Sequence, residues 1–244
     1  MLVIGHRGST VDRPENTMPS FARALEAGAD GFEFDVQLSA DGAPVVIHDE
    51  TVDRTTDGSG SVAGLEAAGL RRLDAGSWFD PGFAGLRLPL LDELLAKFSD
   101  RCTLNLELKA EQADPALVER CLAAVSRHAA LETVVFSSFS WDCLQLLRER
   151  SSAARVGVLY VPDKEKGAFE AAATLGAATL HPHVSAVDKK LVARCRKAGL
   201  DIWTWNANDE AEVRRLRDLG VAAVFSDDPA AAVAALTVQA KAKG

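Results

Sequence analysis

The chain has 244 residues, 27 Lys+Arg against 35 Asp+Glu, a net charge of −8 and 48% apolar residues. The acidic excess argues against a nucleic-acid face, which needs clustered cations, and the apolar content is too high for a disordered chain. No stretch approaches the roughly 20 apolar residues that cross a bilayer.

The start, Met1-Leu2-Val3-Ile4-Gly5-His6, lacks the cationic and long apolar regions of a secretory signal, so a cytoplasmic location is expected. Cys102, Cys121, Cys143 and Cys195 form no CxxC pair and read as buried free thiols.

In chain order, Leu2–Gly5 reads as a strand and 17–28 as a helix closed by Gly28. A strand follows at 32–36, and the apolar run 45–48 reads as its extension, with Leu91–Phe98 as its helix. Strand Thr103–Leu108 then leads to helix 115–128, with Asp114 at its N-cap. Strand 133–136 and helix Trp141–Arg150 come next, then strand 156–160 and helix 166–175. Strand 178–180 precedes helix Lys189–Ala198, and strand 201–205 precedes helix 209–219, these two helices closed by Gly199 and Gly220. Strand 222–225 and helix 229–240 finish the series, and the last residues, 239–244, are expected to fray.

That is eight β–α steps in one chain. Apolar strands alternating with amphipathic helices imply a parallel sheet, and eight units in this length suit a closed (β/α)8 TIM barrel. The rival is an open doubly wound sheet, but no GxGxxG follows the first strand. Residues 1–244 are expected to form a single TIM-barrel domain. Residues 49–90, rich in Gly, Asp and Thr, break the rhythm and are expected to be an insertion capping one face of the barrel.

Polar residues gather at the C-terminal ends of these strands, where this fold keeps its active site. Glu33 and Asp35 are two apart and share a face of their strand, and Glu107 sits similarly on the next one. Three carboxylates at one mouth repel without a cation, and all-oxygen donors favour a hard divalent ion, Mg²⁺ or Ca²⁺. His6 and His48 each follow an apolar run at the same end and suit a general acid and a general base. Arg7 and Lys109 suit a phosphate oxygen or the neutralisation of the carboxylates. Glu15 and Asn16, in the first β–α loop, either support Arg7 and the metal ligands or cap the first helix. His181 and His183 lack a matching partner and read as structural or solvent-facing. Together the parts suggest phosphoryl chemistry, while a P-loop and a GxSxG elbow are both missing.

The series His6-Arg7-Gly8, Pro14-Glu15-Asn16-Thr17, Glu33-Phe34-Asp35, His48-Asp49, Asp53-Arg54-Thr55-Thr56-Asp57-Gly58, Asn105-Leu106-Glu107-Leu108-Lys109 and Trp203-Thr204-Trp205-Asn206 resembles the motif series of the glycerophosphodiester phosphodiesterase family over nearly the whole chain. The resemblance implies a (β/α)8 barrel with a small insertion after the second strand. It implies a divalent metal on Glu33, Asp35 and Glu107, His6 as base and His48 as acid, and Arg7 and Lys109 on the phosphate. It also implies Trp203 lining the substrate pocket, with Trp205 where the family has a small aliphatic residue. The implied activity is hydrolysis of a small-molecule glycerophosphodiester to glycerol 3-phosphate and an alcohol. The rivals are a related phospholipase D-like head-group lyase, a non-catalytic phosphodiester-binding barrel and a metal-dependent barrel acting on sugars or enolates.

Overall fold

The structure is a computed structural model and describes residues 1–237. Strand β1 (Leu2–Gly5) leads to helix α1 (Met18–Glu26), then β2 (Gly31–Leu38) and β3 (Pro44–Val46). Helices α2 (Ala67–Leu70) and α3 (Leu91–Phe98) follow, and then β4 (Thr103–Leu108) and α4 (Pro115–Arg127). Next come β5 (Val134–Ser138), α5 (Trp141–Arg150), β6 (Arg155–Tyr160), α6 (Glu165–Leu175), β7 (Thr179–Pro182) and α7 (Lys189–Ala198). The chain continues through β8 (Asp201–Thr204), α8 (Glu210–Leu219), β9 (Ala223–Ser226) and α9 (Pro229–Thr237).

Eight parallel strands run β1-β9-β8-β7-β6-β5-β4-β2, and β2 pairs back onto β1, closing the barrel. Helix ends follow local chemistry. The Asp114 carboxylate accepts from Leu117 N at 3.0 Å at the start of α4, as its N-cap position requires. Asp188 and Asp209 do the same for α7 and α8, which end on left-handed Gly199 and Gly220. Helix α9 is described to Thr237; the expected continuation to 240 and the fraying of 239–244 lie outside the described residues. No described helix is long and apolar enough to cross a membrane.

Alternation sorts β2 by face. Phe32, Phe34 and Val36 point outward into the main core with Phe21 of α1 and Phe98 of α3, which leaves Glu33 and Asp35 for the barrel interior. The interior holds a smaller apolar floor of Ile4, Val135, Trp203, Ala223 and Phe225. His181 is fully buried there, and a Cβ at Gly157 would lie 2.3 Å from its Nε2, so only glycine fits on β6 opposite the ring. The four cysteines are free, three of them buried.

One strand assignment is corrected. The run 45–48 does not extend β2; it contributes β3, which pairs antiparallel with the second half of β2, Val36 against Val46. Asp41-Gly42 makes the turn, with Gly42 at φ +77°, where a residue with a side chain is strained. Beyond β3, residues of 49–90 pack a separate apolar cluster of Val45, Ile47, Val52, Val62, Leu70, Ala75 and Leu88.

Candidate active site

Strand register assembles the carboxylates. In the parallel β2–β4 pair, Asp35 lies opposite Glu107 and Glu33 opposite Asn105. One oxygen from each of Glu33, Asp35 and Glu107 lies within 4.8 Å of the others. Burial drives the Glu33 carboxyl well above its usual range, with the charges of Asp35 and Glu107 adding to it. Burial and then Asp35 raise Glu107 likewise. For Asp35 burial acts in the same direction, but Arg7 and Lys109 overcome it and hold the group below its usual value. Glu33 Oε1 and Asp35 Oδ1 are buried and accept no hydrogen bond, an arrangement that costs about 1–3 kcal/mol per unmet group. Three oxygen donors, two of them with an unused buried acceptor, fit a hard divalent cation. The cluster could hold such an ion.

Two cations border the carboxylates. Lys109 Nζ donates to Glu107 Oε1 at 2.8 Å and lies 3.7 Å from Asp35 Oδ1. Arg7 Nε lies 3.3 Å from Asp35 Oδ2, and its backbone N–H donates to Glu33 Oε2 at 2.9 Å. Arg7 and Asn16 both adopt left-handed backbone, at φ +53° and +54°. Such strain costs about 1–3 kcal/mol each and persists only where the surroundings over-determine it, here the bonds of Arg7 N–H to Glu33 and of Asn16 to Asp35. The Asn16 amide donates to Asp35 Oδ2 at 2.8 Å, whereas the cap position of α1 is Thr17. Of the two sequence readings for Asn16, support of the carboxylate holds.

Both histidines line one cleft of about 120 Å³ with Arg7, Glu33, Asn105, Glu107 and Lys109. His6 Nδ1 donates to Asp227 Oδ1 at 2.6 Å, so Nε2 faces the carboxylates, 4.0 Å from Glu33 Oε2. Burial would raise Asp227, but the bond from His6 and the amides of Asn208 and Asn206 hold it well below the usual carboxylate range. His48 Nδ1 is 2.7 Å from Asp49 Oδ1. In the sequence Asp227 stands among the polar residues at the C-terminal strand ends without an assigned role; the role comes from its contact with His6, which lies 221 positions away.

Trp203 is placed differently from the expectation. It is 4% exposed in the apolar floor, stacked on His181 at 5.4 Å and 6°. Trp205, one inward position further along the chain, reaches the cleft and meets Phe139 edge-on at 5.6 Å. Parity put both tryptophans on the inner face, and depth separates them, since two residues advance a strand by about 6.6 Å. The neighbouring imidazoles also part: His183 bonds Ser185 at the rim, while burial alone drives His181 down to about 3. Past His48, Glu107, Lys109 and Phe139 the cleft adjoins an outer hollow of about 510 Å³.

Residues 6–231 match the model of the glycerophosphoryl diester phosphodiesterase family. A glycerophosphodiester phosphodiesterase of Caldanaerobacter subterraneus subsp. tengcongensis is 38% identical over 233 residues, 93% of this chain and 94% of that protein. The structure of an Oleispira antarctica phosphodiesterase in complex with the product sn-glycerol-3-phosphate matches with TM-score 0.91 at 33% identity, covering 97% of this chain and 96% of that one. The glycerophosphodiester phosphodiesterase of Agrobacterium tumefaciens str. C58 matches with TM-score 0.85 at 32% identity, over 96% and 99% of the two chains.

Proposed function

The chain belongs to the glycerophosphoryl diester phosphodiesterase family and hydrolyses glycerophosphodiesters to glycerol 3-phosphate; from that premise we propose a metal-dependent, two-histidine mechanism in the cleft between His6 and His48. Glu33, Asp35 and Glu107 would hold the divalent ion, Mg²⁺ or Ca²⁺, and as a Lewis acid it would supply stabilisation of charge on the phosphoryl oxygens. The observation that carries this reading is the buried carboxylate cluster with its unmet oxygens, in the same cleft as both imidazoles.

Arg7 and Lys109 bind the phosphate and are themselves oriented by Asp35 and Glu107. His6 takes a proton from the attacking oxygen at Nε2, because Asp227 fixes the other nitrogen. His48 returns a proton to the leaving alkoxide, with Asp49 behind it. Trp205 and Phe139 form the apolar wall of the cleft and exclude water from one side. The chain acts as one catalytic barrel domain, with 49–90 capping its mouth. The unpaired thiols suit a reducing, cytoplasmic compartment.

The test is glycerol 3-phosphate release from several glycerophosphodiesters by native, chelator-stripped and metal-restored protein. Activity lost on stripping and regained with Mg²⁺ or Ca²⁺ is expected. Full activity in stripped protein contradicts the metal step.

A further inference from the structure

Arg54 has no part in the steps above, yet its guanidinium joins the two halves of the mouth. It lies in the segment 49–90, outside the eight barrel strands. Its Nε and Nη2 donate to Asp49 Oδ2 and Oδ1 at 2.6 and 3.0 Å. Its Nη1 and Nη2 donate to Glu15 Oε2 and Oε1 at 2.7 and 2.8 Å. Each carboxylate is gripped at two points, the geometry that suits a planar guanidinium fork.

Each carboxylate also passes the constraint inward. Asp49 Oδ1 meets His48 Nδ1 at 2.7 Å, and Glu15 Oε1 accepts from Arg7 Nη1 at 2.9 Å. Arg7 in turn lies against Asp35. The run His48, Asp49, Arg54, Glu15, Arg7, Asp35 is therefore unbroken and, with His48 protonated, alternates in sign. The Glu15 side chain is only 12% exposed, and Arg54 supplies two of its three side-chain hydrogen bonds.

We infer that Arg54 is a positioning residue that keeps His48 and Arg7 in register across the cleft; this rests on the reading in which His48 moves a proton and Arg7 binds phosphate. Without the double fork Asp49 is free to turn toward solvent, and His48 loses its fixed partner. Glu15 then keeps only Arg7 and draws that guanidinium off the cleft. Lysine cannot substitute, because an ammonium is a single point charge without the planar fork. The Arg54 side chain itself is 45% exposed, where an ion pair adds little to stability, and residues of 49–90 carry their own apolar cluster, so the effect belongs to catalysis rather than folding.

The experiment measures kcat, KM and thermal melting for wild type, R54Q, R54K, E15Q and D49N, with the doubles R54Q/E15Q and R54Q/D49N. R54Q is expected to lower kcat/KM by about 10- to 100-fold, through both a lower kcat and a higher KM, with little change in melting. R54K is expected to recover little of the loss. E15Q acts mainly on KM and D49N mainly on kcat, and each double is no worse than R54Q by more than about twofold, as residues in one network behave. Wild-type kcat and KM in R54Q, full rescue by R54K, or additive losses in the doubles overturn the inference. If R54Q does not fold, unchanged KM in E15Q together with unchanged kcat in D49N overturns it equally. Full turnover in H48A instead sinks the two-histidine reading, and the R54Q–E15Q cycle, read on KM through Arg7, still decides the role of Arg54.

Discussion

The two histidines face one cleft but are held from different parts of the molecule. His6 leans on Asp227, which sits just past a barrel strand and is steadied by the neutral amides of Asn206 and Asn208. His48 leans on Asp49, which lies past β3 and is steadied by a guanidinium. The barrel side builds its support from strand ends whose positions the closed sheet fixes. On the other side the backbone just past β3 is held by Gln37 of β2, whose amide donates to the carbonyls of Ile47, His48 and Asp49, and the side chains add a charged clamp to the first β–α loop. Both carboxylates accept charge-assisted hydrogen bonds, but each amide holds Asp227 through a single nitrogen, whereas the guanidinium fork grips Asp49 through two.

The largest effect should come from removing either imidazole. His6→Ala and His48→Ala are each expected to cut turnover by about 10²–10⁴-fold with the fold retained by circular dichroism. Wild-type turnover in either one removes it from the acid–base pair. Asp227→Asn should cost less, about 10- to 100-fold in kcat. An amide can donate where a carboxylate only accepts, which lets the His6 proton move to Nε2. An unchanged kcat would show that Asp227 is only a structural neighbour.

The tryptophans sharpen the contrast between floor and rim. Trp203→Ala is expected to cost about 3–5 kcal/mol in denaturant unfolding and to leave KM near wild type. Trp205→Ala should raise KM and spare stability. The reverse pattern would put Trp203 at the substrate.

The smallest effect concerns the floor and acid. Buried His181 has its pKa lowered to about 3 in the folded state, against about 6.5 in an unfolded chain. The unfolded state therefore binds the extra proton first, and stability falls as pH drops from about 6.5 toward 3, by up to about 1.4 kcal/mol per pH unit. Melting of wild type and His181→Gln at pH 7 and pH 5 checks this. The wild type should lose more on acidification, and an equal loss in both would remove His181 as the cause.

Much of the barrel was legible because alternation and helix periodicity are local. Glu33 and Asp35 were readable as a pair because parity fixes their face. Parity is blind to depth, which is why Trp203 and Trp205 looked equivalent. The direction of β3 was not in its own apolar run but in Asp41-Gly42 before it, a dipeptide that favours a hairpin turn. The Arg54–Glu15 contact spans 39 positions. No local pattern encodes it, since it exists only once the loops meet above the closed barrel.

The proposed mechanism stands on Glu33, Asp35 and Glu107 together holding one divalent cation. Calorimetric titration of Mg²⁺ and Ca²⁺ into stripped wild type and into Glu107→Gln tests it without reference to turnover. One ion per chain in the wild type, with affinity sharply weakened in the variant, is the result expected. Absence of binding, or equal binding in both proteins, would contradict it.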